Sequence, residues 1–585
     1  MTSFTSRLIV AGTMLATSMA SLASEESLNA VISNHWDWVL EQYPEYRREF
    51  GDMSGTQDWT DLSLDAIARR NQDQSDFIEE LRQIDNNSLS PESRLNRRML
   101  MNSLEEDRES YANGLHLIAL NMRSGPQHLY TTVERLPMRT EQDYVDWLVR
   151  LEKLPTQLDQ YLSLLDAGLD QQRVQAQIII ERIPKQLDML ITDKPEDSPF
   201  YEVFETLPSE LSDEQAAAIQ SRARDIIGNQ VTPAYKRFKA FIEEQYLPAS
   251  RTEPGIGSLP GGKQIYEMLV RHFTTTDLTP REIHDIGLAE VARIRGEMEE
   301  VIDEVGFEGD INAFNEFLRT DPQFYYDSPE ALLEAYQAVS KRLDPELVKL
   351  FGKLPRMPYG VRPIAEALAP DTTTAFYMPP AMDGSRPGWY YVNLYRPEVR
   401  PKYEIEVLSV HESVPGHHLQ IALAQELEDV PQFRKSSGVT AFVEGWGLYS
   451  ERLGYDMGLY TDPYSRYGQL IYDMWRAVRL VVDTGIHYFG WTRQEAIDYF
   501  KDNAAKSEAD IINEIDRYIG WPGQALAYKI GQLKMLELRA TAETRLGKDF
   551  DIRAFHDELL GAGAIPLDAL ESRMMDWIDR QESML

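Results

Sequence analysis

The chain has 585 residues, of which 43% are hydrophobic and 26% are charged, a composition typical of a globular protein. Asp and Glu number 95 against 59 Lys and Arg, and the resulting net charge of −36 excludes a surface that binds nucleic acid or anionic lipid. Because there is no cysteine, disulfides, thiolate metal ligands, a cysteine nucleophile and a lipid-modified cysteine are excluded as well.

The first 23 residues resemble a cleavable signal peptide. Arg7 gives a basic start, residues 8–19 are largely apolar, and Ser21-Leu22-Ala23 offers small residues for cleavage. The apolar stretch is short for a membrane span, and no later segment approaches 18 unbroken apolar residues. We therefore expect export to a periplasmic or extracellular space without stable membrane insertion; the alternative is an ordinary buried N-terminal helix.

Helical periodicity dominates the rest of the chain. Apolar residues recur every three or four positions over residues 140–165, where Pro155 predicts a kink or two separate helices. Thr492-Arg493-Gln494-Glu495 is a capping box. Proline follows Thr279 and Ser328, at the first position of two predicted helices. Helices are also expected at residues 212–227, 279–305, 328–343 and 492–506.

Two stretches interrupt this helical pattern. Residues 251–263 are rich in Gly and Pro and predict a loop between an N-terminal helical half, residues 24–258, and a C-terminal half, residues 259–585. The two halves are expected to form one continuous catalytic domain. Residues 361–401 also contain many prolines and glycines, with a short predicted strand at residues 389–394. The fold class is therefore mainly α with a small β-sheet.

Three histidines fall within eight positions, in the segment His411-Glu412-Ser413-Val414-Pro415-Gly416-His417-His418. A catalytic zinc needs nitrogen ligands and a general base within one water molecule of the metal. Imidazoles and a carboxylate this close together in the sequence therefore predict a zinc-dependent hydrolase.

The spacing of these histidines differs from that of the ordinary zinc-peptidase helix, where two ligands four residues apart share one face. Six residues separate His411 from His417, which on a regular helix turns the second ring roughly 120° away from the first. Pro415 and Gly416 resolve the conflict, because proline clashes with the carbonyl of His411 and glycine permits unusual backbone angles. We expect the helix to break and both rings to converge on the metal, with His418 as the alternative second ligand.

Glu444 is the candidate third ligand. It lies 27 positions beyond His417, after a segment that can form a turn, so that a following helix could run back beside the first. A catalytic zinc keeps three protein ligands and one open position for water. Glu451 is seven positions further on and shares a helix face with Glu444. It is expected to be structural or to support a ligand from behind.

The run His-Glu-x-x-Pro-Gly-His-His-x-Gln, from His411 to Gln420, resembles the signature of the domain of unknown function 885 (DUF885) family. Residues 259–262, 386–388, 479–487 and 522–529 fit the same family. Phe442-Val443-Glu444 is similar to the segment with the third zinc ligand in thimet-oligopeptidase-like enzymes. The family is regarded as related to gluzincin metallopeptidases. The resemblance therefore implies a large, multi-helical gluzincin-like peptidase fold with a small sheet beside the active-site helix.

The resemblance also implies roles for individual residues. Glu412 corresponds to the general base, which takes a proton from water and passes it to the leaving amine. The strand at residues 389–394 would be an edge strand that pairs with an extended substrate, with Asn393 as a hydrogen-bonding group. The alternative for that strand is a core strand held by aromatic packing.

Tyr528 and His487 are candidates to stabilise the oxyanion of the reaction. A phenol can donate a hydrogen bond to the tetrahedral intermediate, although most tyrosines in a chain with 29 of them are structural. His487 shares a predicted helix face with Asp483 and Arg479, which are four and eight positions before it. The alternative for this second group is a buried charge network that only holds helices together.

These observations predict an exported Zn²⁺-dependent metallopeptidase that hydrolyses short peptides. His411, His417 and Glu444 would bind the metal, and Glu412, Tyr528 and His487 would act on the substrate. A zinc-dependent amidase or another small-molecule hydrolase would use the same site, and a panel of peptides and acyl-amino acids separates the two. A non-catalytic binding protein with this fold is the third hypothesis, but the ligands and the base are all present.

Overall fold

We describe the protein from a computed structural model. It describes residues 4–50, 52, 54–366, 369, 373–382, 384 and 386–585, without the side chains of residues 4–21 and 49. The predicted signal peptide, residues 1–23, therefore falls almost wholly outside the described side chains. Among the helices that the structure describes, none is long and apolar enough to cross a membrane.

The first of two compact units spans Met1–Glu253 and is helical. Its core is a cluster of buried apolar side chains that includes Trp147, Leu151, Phe204 and Phe238. Its α-helices are α1 (Phe4–Gln42), α2 (Pro44–Arg47), α3 (Leu64–Gln83), α4 (Pro91–Ala112), α5 (Glu141–Asp170), α6 (Gln177–Ile180), α7 (Ile183–Asp188), α8 (Asp213–Ile226), α9 (Thr232–Phe241) and α10 (Leu247–Ala249).

The second unit, Pro254–Leu585, contains the histidine motif and a three-stranded sheet. Its α-helices are α11 (Gly262–Thr274), α12 (Pro280–Val305), α13 (Ile311–Thr320), α14 (Pro329–Leu343), α15 (Leu347–Leu350), α16 (Ile405–Glu412), α17 (His417–Gln425), α18 (Gln432–Lys435), α19 (Thr440–Asp456), α20 (Pro463–Thr484), α21 (Arg493–Asn503), α22 (Glu508–Gly520), α23 (Ala527–Leu546), α24 (Ile552–Leu560) and α25 (Leu567–Met584). The prediction of a mainly α fold with a small sheet is confirmed.

Local signals in the sequence set the starts of several helices. Thr140, Ser212, Thr279 and Thr492 each accept a hydrogen bond from the backbone of the first turn in a complete capping box. The helices predicted at residues 212–227, 279–305, 328–343 and 492–506 are confirmed as α8, α12, α14 and α21. Pro155 lies inside α5, which continues through it, so one helix rather than two forms here.

The sheet consists of β1 (Tyr359–Pro363), β2 (Ala375–Met378) and β3 (Gly388–Val392) in the order β1-β3-β2. β3 pairs with β1 in parallel, with Tyr359 opposite Gly388, and with β2 in antiparallel, with Ala375 opposite Val392. The predicted strand at residues 389–394 is therefore the central strand, because β1 and β2 form backbone hydrogen bonds along its two edges.

Helices of the second unit pack around the motif. α16 packs against α14, α19 and α20, and α17 also packs against α19. α19 in turn lies along α23, and α20 lies along α12. The faces where these helices meet are almost entirely buried. Close packing therefore fixes the side chains that point toward the motif.

Candidate metal centre

The helix of the histidine motif is broken, as its sequence predicts. α16 ends at Glu412 and α17 begins at His417, with four residues between them. The amide of Gly416 donates to the carbonyl of Val410 at 2.9 Å, and the amide of His418 donates to Ser413 at 3.0 Å. These bonds span six and five residues instead of the regular four, so the break takes up the two extra residues of the spacing.

Gly416 is required at this break because the backbone passes very close to α16. A Cβ atom at this position would lie 1.9 Å from the carbonyl oxygen of His411 and 2.3 Å from that of Val410. The neighbouring carbonyl of Pro415 accepts a hydrogen bond of 2.8 Å from the indole of Trp446, on α19. The break is therefore a defined conformation that is tied to α19.

His411, His417 and Glu444 come together across the break. One ligand atom from each residue lies within 4.8 Å of the other two. Nε2 of His411 and of His417 lie 3.8 and 3.5 Å from the same oxygen of Glu444, and the two imidazole rings are nearly perpendicular, at 86°. The predicted convergence of these three side chains is confirmed.

The donor set of this cluster suits a zinc ion. Two imidazole nitrogens and one carboxylate oxygen are the ligands of many catalytic zinc sites, in which three protein ligands leave one position open. His411 and His417 are buried, and the side chain of Glu444 is 21% exposed, so the open side is the side of Glu444. The residues present therefore fit the predicted metal.

Gly447 makes room for the first ligand. It lies one turn after Glu444 on α19, and a Cβ atom there would lie 2.8 to 3.1 Å from three atoms of the His411 ring. The missing side chain lets α19 approach the imidazole closely enough for Glu444 to reach it. Sequence reasoning overlooked this residue, although glycine in the interior of a predicted helix is a signal of close packing.

Glu451 orients His411 from behind, as its position in the sequence suggests. Its carboxylate is fully buried and accepts a hydrogen bond of 2.9 Å from Nδ1 of His411. This bond places the ring proton on Nδ1 and leaves the Nε2 lone pair directed toward Glu444. Arg476, on α20, lies 3.6 Å from the same Glu451 oxygen and balances its charge. Arg476 could not be assigned from sequence because the contact joins two separate helices.

The electrostatics of the cluster favour a positive charge. Burial lowers the pKa of His411, but hydrogen bonds to Glu444 and Glu451 raise it more, to about 9. Burial also raises the pKa of Glu444, but its bonds to His411 and His417 hold that pKa well below the usual range. The two carboxylates thus create a negative environment around the imidazoles, which is the environment that a cation requires.

Glu412 is the last residue of α16 and directly follows the first ligand. Its side chain is partly exposed, whereas His411 and the following residues are buried. Its charge acts on the imidazole of His411, but Glu412 is not part of the cluster of His411, His417 and Glu444. A partly exposed carboxylate in the field of the first imidazole agrees with the predicted role of a proton acceptor.

Tyr528 lies on α23, which packs against α19, the helix of Glu444. Gly445 and Gly531 bring α19 and α23 together, since a Cβ atom on Gly445 would lie 2.5 Å from the Cα of Gly531. This close crossing brings Tyr528, one turn before Gly531, near Glu444, one residue before Gly445. Burial raises the pKa of Tyr528, and the negative charge of Glu444 raises it further. The phenol is thus within electrostatic range of Glu444, the candidate third ligand.

Comparison with known proteins assigns the chain to a family. The family model described as "Bacterial protein of unknown function (DUF885)" matches residues 44–574. The chain belongs to the DUF885 family. No functionally curated protein matches it at a significant level.

Two solved structures resemble this DUF885 chain over nearly their full lengths. A "putative lipoprotein" from Colwellia psychrerythraea is 29% identical, with a TM-score of 0.89 over 95% of this chain and 99% of the other. A "putative lipoprotein of unknown function" from Shewanella oneidensis is 17% identical, with a TM-score of 0.73 over 94% and 99% of the two chains. The second likeness concerns the fold alone.

The alternative second ligand of the DUF885 motif, His418, points elsewhere. Its Nδ1 accepts a hydrogen bond of 2.7 Å from the hydroxyl of Tyr377, and its Nε2 donates to the carbonyl of Met357 at 3.0 Å. Burial lowers the pKa of this imidazole to about 4. His418 is therefore a neutral side chain that ties α17 to the sheet, and His417 is the partner of His411.

We predict that His417→Gln and His418→Gln have different effects on metal binding. His417→Gln removes a nitrogen of the cluster and is expected to weaken zinc binding by more than the roughly 10- to 100-fold typical of a lost supporting residue. His418→Gln is expected to reduce thermal stability while zinc stays bound. Competition titration with a chelator measures both affinities. Equal zinc affinities in the two variants would contradict the assignment of His417.

His487 is held in a structural network of the DUF885 fold. Its Nδ1 accepts from the amide of Ile256 at 3.0 Å, and its Nε2 donates to the carbonyl of Tyr518 at 3.0 Å. Asp483, one turn earlier, accepts from Tyr266 at 2.6 Å. Both ring nitrogens of His487 are thus used by backbone groups, which leaves no ring proton for an oxyanion and favours the structural alternative.

The proposed substrate-pairing strand needs a correction. β3 is hydrogen-bonded on both sides and has no free edge for a peptide. Asn393, just after it, donates to the carbonyls of Ala369 and Thr373 at 2.7 and 3.2 Å and accepts from the amide of Tyr395 at 2.9 Å. The expectation that Asn393 binds substrate is wrong, because its side-chain amide is bonded to the backbone of the preceding loop and of Tyr395.

Proposed function

We propose that this DUF885 protein is an exported zinc-dependent peptidase. The observation that carries the proposal is the convergence of His411, His417 and Glu444 across the broken helix, with Glu412 directly after His411 and in its electrostatic field. Two imidazoles, one carboxylate and an adjacent free carboxylate are the minimum set for hydrolysis of an amide by water. The buried pair of Glu451 and Arg476 behind His411 supports a site that is built for a cation.

His411, His417 and Glu444 would hold the zinc ion. When bound, such an ion polarises a carbonyl oxygen and lowers the pKa of water to near neutrality. Glu412 accepts the proton of the attacking water and passes it to the nitrogen of the leaving amine, so that one water is added across the C–N bond. Glu451 keeps the Nδ1 proton of His411 in place throughout.

Tyr528 is the proposed donor to the oxyanion. Its phenol lies in the field of Glu444 and is partly exposed, so a substrate carbonyl near the cluster can approach it. The guanidinium carbon of Arg479 lies 4.4 Å from the centre of the same ring and holds it by a cation–π contact. A donor that is fixed in this way stabilises charge that develops in the transition state.

Tyr528→Phe is expected to lower kcat by about 100-fold or more, because it removes the donor and keeps the ring. Zinc content should not change, since Tyr528 is not a ligand. Tyr467→Phe is the matched control: the hydroxyl of Tyr467 donates to Asn315 at 2.7 Å within the helical core. The control should lose stability but not kcat. Steady-state kinetics with a peptide substrate decides, and equal kcat values for Tyr528→Phe and wild type would exclude the proposed role.

Elemental analysis of the purified protein, paired with a digest of dipeptides, oligopeptides and acyl-amino acids, tests the proposed function. We expect one zinc per chain and cleavage of peptides that a chelator abolishes and zinc restores. Cleavage of acyl-amino acids alone would identify an amidase. Bound zinc without turnover of any substrate would indicate a binding protein and overturn the proposal.

Export is supported by the signal-like start of the sequence and by the similar solved protein from Colwellia psychrerythraea, which is described as a putative lipoprotein. We expect cleavage after about Ala23. Mass spectrometry of the protein from fractionated cells tests this: a chain that begins near Ser24 outside the cytoplasm agrees with export. A cytoplasmic chain that retains residues 1–23 contradicts it.

A further inference from the structure

A group of cations lies beside the candidate metal centre, in a protein whose overall net charge is −36. Three of them surround the partly exposed ring of Trp475: the charged groups of Arg476, Arg479 and Lys506 lie 4.9, 4.8 and 5.0 Å from its centre. Lys506 pairs with Glu404 at 3.1 Å and Arg476 with Glu451 at 3.6 Å. Arg476 and Arg479 each have one buried guanidinium nitrogen without a hydrogen-bond partner among the described residues, Nε and Nη1 respectively. Of the two, Arg479 shares its carboxylate partner with a second guanidinium.

Two of the three nitrogens of Arg479 have partners. Nε donates to the hydroxyl of Tyr518 at 2.8 Å, and Nη2 donates to Glu514 at 3.2 Å. Nη1 is buried and has no hydrogen-bond partner among the described residues. The residue is only 4% exposed, so water cannot freely solvate this nitrogen. A buried guanidinium nitrogen without an acceptor is unfavourable unless a ligand supplies one.

The charge of Arg479 is also incompletely balanced. Its one carboxylate partner, Glu514, is shared with Arg517, whose Nη2 lies 3.1 Å from the same oxygen. Asp483, one turn after Arg479 on α20, accepts from Tyr266 and from the amide of Gly523 instead. Two guanidiniums thus bond to a single carboxylate. Asp483 acts on both at longer range, but burial raises its pKa to about 7, so it balances the surplus positive charge only in part.

The ring of Tyr528 lies between this surplus positive charge and the metal cluster. The ring of Tyr528 contacts the guanidinium of Arg479, and its phenol is in the field of Glu444. Tyr528 and Trp475 are both partly exposed, which marks the side from which a ligand reaches Arg479. Lys529, the residue after Tyr528, forms ion pairs with Asp473 at 2.6 Å and with Glu290 at 2.8 Å.

We infer that Arg479 binds the C-terminal carboxylate of the peptide substrate through Nη1. This inference rests on the proposed function and names its substrate class: peptides with a free C terminus, cleaved near that end. A carboxylate supplies both the missing acceptor and the missing negative charge. Hydrolysis then adds one water to a peptide bond close to the C terminus and releases a short C-terminal fragment with a free amine.

Binding to the metal-free protein tests this inference independently of turnover. The probes are N-acetyl-Ala-Ala with a free carboxylate and the same peptide as its C-terminal amide, measured by isothermal titration calorimetry. We expect the free acid to bind about 10- to 100-fold more tightly, the range of one hydrogen bond between charged groups. Equal affinities for the acid and the amide would overturn the inference.

Arg517→Gln is the matched control for Arg479→Gln. Both changes remove one positive charge next to Glu514, but only Arg479→Gln removes the unpartnered nitrogen. The ratio of acid to amide affinity should fall to near one in Arg479→Gln and persist in Arg517→Gln. Equal losses in both variants would assign the preference to general charge and refute the role of Arg479. Arg479→Lys, which retains the charge, replaces Arg479→Gln if the latter does not fold.

Digests with the zinc-loaded protein separate this inference from the proposed function. Release of C-terminal fragments from free-acid peptides, with amidated peptides spared, supports both. Equal cleavage of acid and amide peptides supports a peptidase but overturns the carboxylate site. Absence of cleavage for all peptides overturns the proposed function, whereas a preference of the metal-free protein for the acid would still support the carboxylate site.

Discussion

Glu412→Gln is expected to lower kcat by about 100- to 10,000-fold, the range found when a general base is removed. Glutamine has nearly the same shape as glutamate but cannot accept a proton at neutral pH. The variant should retain its zinc, because Glu412 is not part of the three-residue cluster formed by His411, His417 and Glu444. Metal analysis together with steady-state kinetics on a cleaved peptide measures both properties.

Glu406→Gln is the matched control for this change. Glu406 lies on the same helix, six residues earlier, and accepts from the amide of Tyr460 at 3.0 Å. Its replacement should cost some stability and leave kcat within a few-fold of wild type. If Glu412→Gln turned over peptide as fast as Glu406→Gln, another group would have to accept the proton, and the mechanism proposed here would be wrong.

Gly416→Ala is expected to disrupt the centre and destabilise the second unit. The added methyl group would lie 1.9 Å from the carbonyl oxygen of His411, a distance that requires the backbone of the break to move. Rigid backbone on both sides leaves little room, so we expect a loss of more than about 4 kcal/mol in the free energy of unfolding. Any folded fraction should bind zinc poorly, because His411 and His417 meet only through this break.

Thermal melting and zinc titration check this prediction, with Gly438→Ala as the control. A Cβ atom at Gly438 would meet nothing within 4 Å, so the control should change the free energy of unfolding by no more than about 0.5 kcal/mol. If Gly416→Ala melted like the control and bound zinc normally, the close approach at the break would not be what brings the two imidazoles together.

Much of the centre could be predicted from the sequence because its signals are local. Pro415 and Gly416 cannot continue a regular helix, whatever surrounds them, so the break follows from the residues themselves. The same is true of the helix starts at Thr140, Ser212, Thr279 and Thr492, where each cap bonds within its own first turn. The candidate ligands His411 and Glu444 and the supporting Glu451 followed from residue type and helical spacing.

The tertiary structure alone decided every feature that depends on a partner distant in the chain. The sequence determined a strand near residues 389–394, but only β1 and β2 made it central and removed its free edge. The sequence left His417 and His418 as alternative second ligands. The hydrogen bond between Tyr377 and His418 shows that His418 points away from the cluster. Only the packing of α22 shows which nitrogens of Arg479 have partners: Tyr518 and Glu514 bond to Nε and Nη2, and Nη1 is left without one. Spacing along one helix fixes which side chains share a face, whereas the atoms that this face meets are set by packing between helices.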